Sequence, residues 1–410
     1  MEFFKVVTVA EAKEILFQNW SGQRKEAELV PLTQGLHRVL AENVVTQVDI
    51  PGFARSTVDG YAVLAKDTFG ASEALPAIST ISGEILMGQA PPGAIKPGEA
   101  MRIPTGGMLP ENADAVVMVE YTEEMDDVTV LMERAVAPGE NVVRRGEDIS
   151  VGESLLSAGQ VIRPQELGAL AGVGVTDIPV VTKPKVAIIS TGDEVVNPHE
   201  TPGPGQVRDI NSYALYGQVV ALGGEATLYG IVPDQLETLR VTVEKALQTH
   251  DVVILSGGSS VGTRDVSAKV MDELGQPGVL VHGVSVRPGK PTIISVAQDK
   301  PIFGLPGHPV SAMVIFDLFV RPVIKTLLGE KQTAWRPVVQ AKLSRHLASG
   351  GGREDYVRVM LEARADGLWA EPVLGKAGLI TTMVKADGLV KIPLETEGLA
   401  TGEMVQVEVF

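Results

Sequence analysis

Residues 252–265, with the sequence VVILSGGSSVGTRD, limit the possible folds of this chain more than any other segment does. Its apolar, β-branched start predicts a strand that is buried on both faces. The glycines and serines that follow let backbone N–H groups converge on an anion, and the next helix adds the positive end of its dipole. A turn that only closes a strand–helix unit is the alternative, and similar loops nearby would favour the anion site.

The same strand-to-helix alternation extends from residue 185 to residue 328. It predicts an α/β fold, with a mostly parallel sheet and helices on both faces, whose ligands bind outside the carboxyl ends of the strands. Neither GxGxxG nor GxxxxGK[ST] occurs, so neither a dinucleotide fingerprint nor a Walker phosphate loop is supported. The predicted strands are 186–190, 226–232, 252–255, 279–286 and 292–297, and the predicted helices are 212–222, 235–248, 266–274 and one that ends near Leu328.

The flanking regions have a different character. Residues 8–18 have helical periodicity, with Thr8 as a helix N-cap and Glu11 at the capping-box position. Short β-like runs between Pro and Gly residues, from about 45 to 138, predict a separate small β-rich domain. Further predictions are a helix over 32–41, a helix over 165–173, a linker over 179–184 and a small β-barrel or sandwich over 331–410.

Composition narrows the class of protein. The chain has no cysteine, which excludes disulfides and thiolate metal sites, and its six histidines form no close pair at metal-ligand spacing. The net charge of −16 argues against general nucleic-acid binding, so an anionic ligand needs a few local Arg or Lys side chains. No apolar stretch approaches the length of a membrane span, and the N-terminus does not resemble a signal peptide. We therefore expect a soluble, cytoplasmic protein without a membrane partner.

Three carboxylates follow predicted strands or the glycine–serine loop, namely Glu194, Asp234 and Asp265. Each also has a structural interpretation, as a helix cap for Glu194 and Asp234 and as a partner of the helix dipole for Asp265. Because adjacent strands lie roughly 5 Å apart, the loops that follow them can share a cleft. Converging carboxylates in a thiol-free site suit Mg²⁺, which usually takes one or two of them with water and substrate phosphates.

Two loops of the same predicted sheet favour an anion. Arg287 and Lys290 lie in the stiff turn RPGKP, and Pro309 begins a helix and leaves the following N–H groups free for an anion. Acidic loops for a metal and basic loops for an oxyanion indicate chemistry on a phosphate ester or a related oxyanion.

Further candidates lie in the N-terminal half. Asp59 is in a loop rich in Pro, Gly and Ser, where an Asp-Gly turn is the simpler interpretation. Thr105 is at the tip of another Gly-rich loop. The sequence RRGEDIS contains Arg145 and Asp148 in a mixed cluster of charges, which is most often a solvated salt-bridge surface.

Taken together, these loops resemble the molybdopterin molybdenumtransferase family, that is, the bacterial MoeA proteins and the C-terminal domain of gephyrin. The resemblance runs essentially from end to end, and its motifs are ARSTVDGYA (54–62), RIPTGG (102–107), RRGEDI (144–149), STGDE (190–194), SGGSSVGTRD (256–265), RPGKP (287–291), GLPGHPVSA (304–312) and REDYVRV (353–359). It implies a multidomain α/β protein with four parts: a split helical domain (1–44 and 139–180), an inserted β-rich domain (45–138), a three-layer α/β molybdopterin-binding domain (181–330) and a C-terminal β-barrel (331–410).

The resemblance also implies an activity, the insertion of molybdate into the dithiolene of adenylylated molybdopterin with Mg²⁺-dependent release of AMP. It implies a homodimer whose cleft combines loops of both subunits, with molybdopterin adenylyltransferase and apo-molybdoenzymes as further partners. Glu194, Asp234 and Asp265 would form the metal and nucleotide side, and the pterin-phosphate and molybdate side would contain Ser260, Arg287, Lys290, Pro291, Ser311, Arg353 and Thr382. A second subunit would supply the catalytic Asp59 together with Thr105, Arg145 and Asp148.

Three positions depart from the family's pattern. Arg287 stands where the family often has Lys, which keeps the charge but replaces a point donor with a planar fork. His308 replaces the usual Asn. Thr381 and Thr382 stand where serines are common, which makes molybdate contacts there less secure.

Two other functions stay open at this point. Molybdopterin adenylyltransferase shares the α/β domain, but the rest of the chain, especially Asp59 and Thr105, argues against it. A non-catalytic scaffold like gephyrin is the other alternative, although the sequence contains no long disordered linker and no second fused domain to support it.

Overall fold

The computed structural model describes residues 6–257, 263–331 and 337–410, and for residues 263–265 it describes the backbone alone. Its strands form three six-stranded sheets, each with a buried apolar core, and several two-stranded ribbons. No helix within these ranges is long and apolar enough to cross a membrane. The division of the chain at residues 44, 138, 180 and 330 stays a prediction.

The N-terminal helix is confirmed. Helix Val9–Gln18 begins with the predicted capping box, in which the Thr8 N–H donates to the Glu11 carboxylate (2.8 Å) and the Glu11 N–H donates to the Thr8 hydroxyl (3.2 Å). Leu16 of this helix is fully buried. The helix therefore packs its apolar face into the main core of the protein.

The predicted helix over 32–41 is wrong. Only Leu32–Gln34 forms a short 3-10 helix, and His37 then has a positive φ of 62°. Val39 and Leu40 form β-bridges to distant strands instead. The apolar residues have helical spacing, but strand pairing determines the local structure here.

The predicted linker over 179–184 is also wrong at its start, because strand Asp177–Val181 pairs antiparallel with Ala27–Pro31. The short helix before it is confirmed, at Pro164–Gly172. Two further ribbons connect this part of the chain with the β-rich region, Arg55–Ser56 with Val142–Val143 and Val44–Val45 with Ser154–Leu156.

The β-rich region contains a six-stranded sheet. Tyr61, Val117 and Met132 are buried in its core. The strands lie in the order Ala115–Met118, Gly60–Val63, Glu99–Ile103, Ala77–Glu84, Thr129–Met132 and Thr122–Asp126.

The central sheet is the predicted mostly parallel α/β sheet. Five of its strands point one way, and Ile293–Ala297 points the other way. The strands lie in the order Glu225–Val232, Lys185–Thr191, Val252–Gly257, Lys300–Leu305, Ile293–Ala297 and Pro277–His282. The helices are Asn211–Ala221, Leu236–Thr249, Thr263–Glu273, Pro309–Ile315 and Arg321–Leu327, the last two joined by the π-helical Phe316–Val320.

Alternate side chains of the central strands face two helical layers. Ile188 shares a core with Leu215 of one layer, and the next residue, Ile189, shares a second core with Leu239 of the other layer. Successive side chains of a strand point to opposite faces, so a sheet covered on both faces must be apolar on both. The three-layer prediction is confirmed.

The direction of one strand brings the basic turn to the same edge as the acidic loops. Strand Ile293–Ala297 begins where its antiparallel neighbour, Lys300–Leu305, ends. The segment 283–292 before it therefore lies at the edge where the parallel strands end. This segment contains the turn RPGKP.

The last part of the chain is a five-stranded β-barrel. Strand Glu354–Arg364 pairs with both Gly367–Pro372 and Gly388–Ile392, which closes the ring. The short strand Val286–Arg287 of the basic turn pairs in parallel with the start of Glu354–Arg364, so the barrel is joined to the edge of the central sheet. The order around the ring is Glu354–Arg364, Gly367–Pro372, Val338–Leu343, Met404–Val409 and Gly388–Ile392.

Candidate functional site

Two of the predicted acidic residues, Glu194 and Asp234, lie close together at the carboxyl edge of the central sheet. The carboxylate of Asp234 accepts a hydrogen bond from the Thr191 hydroxyl. Burial raises the pKa of Asp234, the Thr191 hydroxyl opposes this shift, and the charges of Asp193 and Glu194 raise the pKa further. Several negative charges, those of Asp193, Glu194 and Asp234, therefore lie close together at this edge of the sheet. Within the described ranges, no three metal-binding side chains converge as a ready-made ligand set.

Glu194 and Asp209 line a cavity of about 360 Å³, which we call the acidic cavity; Arg208 also lines it, and Asp234 lies beside it without lining it. Asn211 holds two of its walls together, because its side-chain amide donates to the Ser256 hydroxyl (2.8 Å) and to the Gly307 carbonyl (2.9 Å). Ser256 is near the end of one parallel strand, and Gly307 is in the loop after the next. The sheet edge and these hydrogen bonds therefore give the cavity a defined shape.

A second cavity, of about 680 Å³, brings together five of the predicted residues, and we call it the cationic cavity. Arg287 and Lys290 come from the basic turn, and Arg353 comes from the segment that leads into the barrel. None of the described residues that line this cavity is a carboxylate. Planar guanidinium groups and a flexible ammonium group around such a space suit an oxyanion. The other two predicted residues are Pro291 and Ser311.

The two cavities adjoin at His308, which lines both of them. This residue directly precedes helix Pro309–Ile315, and its side chain makes no capping hydrogen bond to that helix. The prediction that the N–H groups after Pro309 are free is wrong for Val310, whose N–H donates to the Ala377 carbonyl (3.1 Å). At least one N–H group after Pro309 is therefore not available to an anion.

The two arginines of the cationic cavity contact one buried carboxylate that sequence reasoning missed. The Nε of Arg353 donates to Oδ1 of Asp355 at 2.9 Å, and Nη1 of Arg287 lies 3.8 Å from Oδ2 of Asp355. The Asp355 side chain is only 6% exposed. Asp355 lies in the motif REDYVRV, but the motif does not reveal that its first acid, Glu354, faces Lys391 instead.

Asp59 and Thr105 contact each other in the β-rich region. The Thr105 N–H and hydroxyl donate to Oδ1 of Asp59, at 2.6 and 2.9 Å. These hydrogen bonds, the backbone one first, lower the pKa of Asp59. Both residues are exposed. Asp59 therefore does more than occupy a turn, because it holds the tip of a second loop.

Arg145 and Asp148 lie in the neighbouring loop. The Nε of Arg145 donates to Oδ2 of Asp49 at 2.6 Å, and the Asp148 N–H donates to the Ile50 carbonyl at 3.0 Å. No described residue between 45 and 153 lines the acidic or the cationic cavity. Four of the predicted residues therefore lie together in the β-rich region, away from both cavities of this chain, namely Asp59, Thr105, Arg145 and Asp148.

Thr382 is not placed as predicted. Its hydroxyl accepts from Nη1 of Arg358 (2.7 Å) and donates to the Leu379 carbonyl (2.6 Å). The side chain is buried and lines neither cavity, so this arrangement does not support a substrate contact. Ser260 and the Asp265 side chain lie outside the described residues, while the Asp265 backbone is part of helix Thr263–Glu273.

Family models match three successive parts of the chain. Residues 7–174 match the "MoeA N-terminal region (domain I and II)", and residues 340–410 match the "MoeA C-terminal region (domain IV)". Residues 187–326, which include the central sheet and its carboxyl edge, match a "probable molybdopterin binding domain".

The likeness extends to whole proteins. The chain is 35% identical over 387 residues to a molybdopterin molybdenumtransferase of Bacillus subtilis, covering 93% of this chain and 89% of that protein. A crystal structure of the molybdopterin biosynthesis MoeA protein from Pyrococcus horikoshii is 40% identical, covers 99% of both chains and superposes with a TM-score of 0.82. A second crystal structure of that name, also from Pyrococcus horikoshii, is 32% identical and has a TM-score of 0.86 over 99% of this chain and 100% of the other.

Proposed function

Because this chain belongs to the MoeA family of molybdopterin molybdenumtransferases, which act in molybdenum cofactor biosynthesis, we propose that its two adjoining cavities bring molybdate to adenylylated molybdopterin. Molybdate enters the dithiolene of the pterin, and AMP is released. The observation that carries this assignment is the position of His308, which borders both a cavity lined by cations and a cavity lined by a carboxylate.

In this proposal the cationic cavity binds molybdate. A tetrahedral dianion needs several positive donors that point at one volume, and Arg287, Lys290 and Arg353 line such a volume. The guanidinium groups supply planar pairs of N–H donors, and the ammonium group supplies a compact charge that adapts to the anion. Ser311 contributes a further hydroxyl at the same cavity.

The carboxylates in and beside the acidic cavity fit Mg²⁺, because Glu194 lines the cavity and Asp234 is close enough for the two charges to interact. The raised pKa of Asp234, due first to burial and then to Asp193 and Glu194, indicates carboxylates that repel one another when no cation lies between them. Carboxylate oxygens are ligands that Mg²⁺ accepts in ones or twos, together with substrate phosphates. We assign the metal to Glu194 and Asp234, with Asp265 as the third predicted acid. When bound, Mg²⁺ supplies positive charge against the negative charge that develops on the departing AMP.

We further propose a homodimer in which the loops with Asp59 and Thr105 enter the cleft of the second copy. The exposure of both residues supports this, as do hydrogen bonds that leave the second oxygen of Asp59 available. The lowered pKa keeps Asp59 ionised at neutral pH, so it can accept hydrogen bonds from a substrate. Arg145 and Asp148, in the neighbouring loop, would enter with them.

The function is tested by incubating the full-length protein with adenylylated molybdopterin, molybdate and Mg²⁺. We expect AMP to be released in step with the formation of active cofactor, measured by reconstitution of an apo-molybdoenzyme. Omitting molybdate, or adding EDTA, should stop AMP release. Consumption of ATP in the presence of unmodified molybdopterin, without AMP release from the adenylylated form, would instead assign adenylyl transfer.

A further inference from the structure

The geometry around Asp355 differs from that of an ordinary surface ion pair. Its side chain is 6% exposed, whereas those of Arg353 and Arg287 are 38% and 64% exposed. The carboxylate is therefore fixed within the protein, and the two cations extend from it toward solvent. The backbone adds to this fixation, because Arg287 lies opposite Asp355 where strand Val286–Arg287 pairs with the barrel.

The contact with Asp355 determines which edge of Arg353 remains available. Asp355 accepts from Nε, and in the described part of the chain neither Nη1 nor Nη2 of Arg353 has a hydrogen-bond partner. A guanidinium group binds an oxyanion through two parallel N–H groups. With Nε occupied, the edge formed by Nη1 and Nη2 is the one left for a ligand.

We propose that Asp355 is a positioning residue for the molybdate site, which orients the guanidinium groups of Arg287 and Arg353 toward the cationic cavity. Asp355 does not itself line that cavity, so it acts through the two arginines. This inference rests on the proposed function, since it assumes that the cationic cavity binds molybdate.

Positioning can be distinguished from a simple charge effect by the direction of the change in affinity. The negative charge of Asp355 lowers the positive potential of the cavity, so its removal alone would strengthen the binding of any anion. Asparagine keeps an acceptor oxygen but no charge, so the orienting hydrogen bond and ion pair weaken; this acts the other way, because the guanidinium groups then lose more entropy when they bind molybdate. Weaker binding after removal of the carboxylate therefore indicates positioning.

The test compares Asp355→Asn with Glu354→Gln, its neighbour on the same strand. Glu354 is a fitting control because it contacts Lys391 and the Tyr356 hydroxyl, both at 2.9 Å, and neither of these lines the cationic cavity. In calorimetric titrations with sodium molybdate, we expect Asp355→Asn to raise the Kd about tenfold or more, and Glu354→Gln to leave it unchanged within about twofold. Equal or tighter binding by Asp355→Asn would overturn the proposal.

Steady-state kinetics provide a readout that a purely structural role would not give. We expect Asp355→Asn to raise the KM for molybdate and to leave the KM for adenylylated molybdopterin unchanged. Asp355→Glu keeps the charge and displaces the carboxylate by one methylene, so its Kd should lie between those of the native protein and Asp355→Asn. Equal increases in both KM values would contradict a role confined to the molybdate site. Asp355→Glu also serves as the test variant if Asp355→Asn does not fold, and a native Kd in it would then overturn the proposal.

Arg353→Ala separates failure of this inference from failure of the proposed function. If Arg353→Ala binds molybdate as tightly as the native protein does, the cationic cavity is not the molybdate site and both proposals fail. If Arg353→Ala weakens binding and Asp355→Asn does not, only the role of Asp355 is overturned.

Discussion

The acidic and cationic cavities differ in how their charges are balanced. In the cationic cavity, Arg287 and Arg353 have a counter-charge within the chain, the buried Asp355. At the acidic cavity, neither Glu194, which lines it, nor the neighbouring Asp234 has an ion-pair partner among the described residues, and the pKa of Asp234 is raised. One cavity is therefore organised before a ligand arrives, whereas the other has charges that an external cation must balance.

This difference separates the expected effects of substitutions. In the acidic cavity, removing a carboxylate should change the dependence of the reaction on Mg²⁺ and relieve repulsion in the metal-free protein. In the cationic cavity, removing a charge should change the dependence on molybdate. The loops with Asp59 and Thr105 line neither cavity of their own chain. Substitutions in them should therefore affect the cleft of the second copy.

The largest expected effect is that of Asp234→Asn on turnover. This change removes the charge but keeps an acceptor for the Thr191 hydroxyl, and we expect Mg²⁺-dependent AMP release to fall by about 100- to 1,000-fold. The rate is measured at saturating molybdate over a range of Mg²⁺ concentrations. Glu237→Gln is the matched control, because Glu237 follows in the next helix and contacts Arg240 at 2.6 Å. A near-native rate for Asp234→Asn would contradict the metal assignment.

A smaller effect is expected when two inactive variants are combined. If Asp59 of one subunit meets Lys290 of the other, a dimer of one Asp59→Asn chain and one Lys290→Ala chain contains one intact cleft. Random pairing of co-expressed chains should then restore about a quarter of the native rate. If both residues act within one chain, every cleft stays defective. Co-expressing Asp59→Asn with Asp59→Ala is the control, and AMP release that stays at the level of this control would contradict the shared cleft.

Much of the cleft follows from rules that act locally along the sequence. Strand alternation identified the edge of the central sheet, and the residues after its strands included Glu194 and Asp234. Arg287 and Lys290 were predicted from the strand before them, and that strand, Pro277–His282, runs in the parallel direction and ends at this same edge. The location of these residues follows from chain direction alone, and their roles stay predictions.

The predictions that failed depend on contacts between distant residues. The helix over 32–41 was wrong because Val39 and Leu40 pair with Val161 and Val180, more than a hundred residues away. The hydroxyl of Thr382 is occupied because Nη1 of Arg358, from strand Glu354–Arg364, donates to it, which no local pattern reveals. Asp355 was missed for the same reason, because one of the arginines that contact it, Arg287, comes from a distant part of the sequence.

The smallest expected effect concerns stability, and it tests the unbalanced charge of the acidic cavity directly. The pKa of Asp234 is raised above its ordinary value of 3.8 in the folded protein, so the folded state holds that proton more tightly than the unfolded chain does. Stability therefore falls as the pH rises from 3.8 through the folded pKa. Asp234→Asn removes this loss, so its Tm without Mg²⁺ should exceed the native Tm by about 1 to 3 °C at neutral pH.

Two features of that measurement are specific to charge repulsion. The difference in Tm should shrink as the pH approaches about 4. The Asp234 carboxyl of the native protein is then increasingly protonated and uncharged, like the amide in the variant. Added MgCl₂ should raise the native Tm more than that of Asp234→Asn, since a ligand stabilises the state that binds it. In scanning calorimetry, Glu237→Gln should show neither behaviour, because Arg240 lowers the pKa of Glu237. A lower Tm for Asp234→Asn at neutral pH would mean that its carboxylate is already balanced, and the contrast between the two cavities would then be lost.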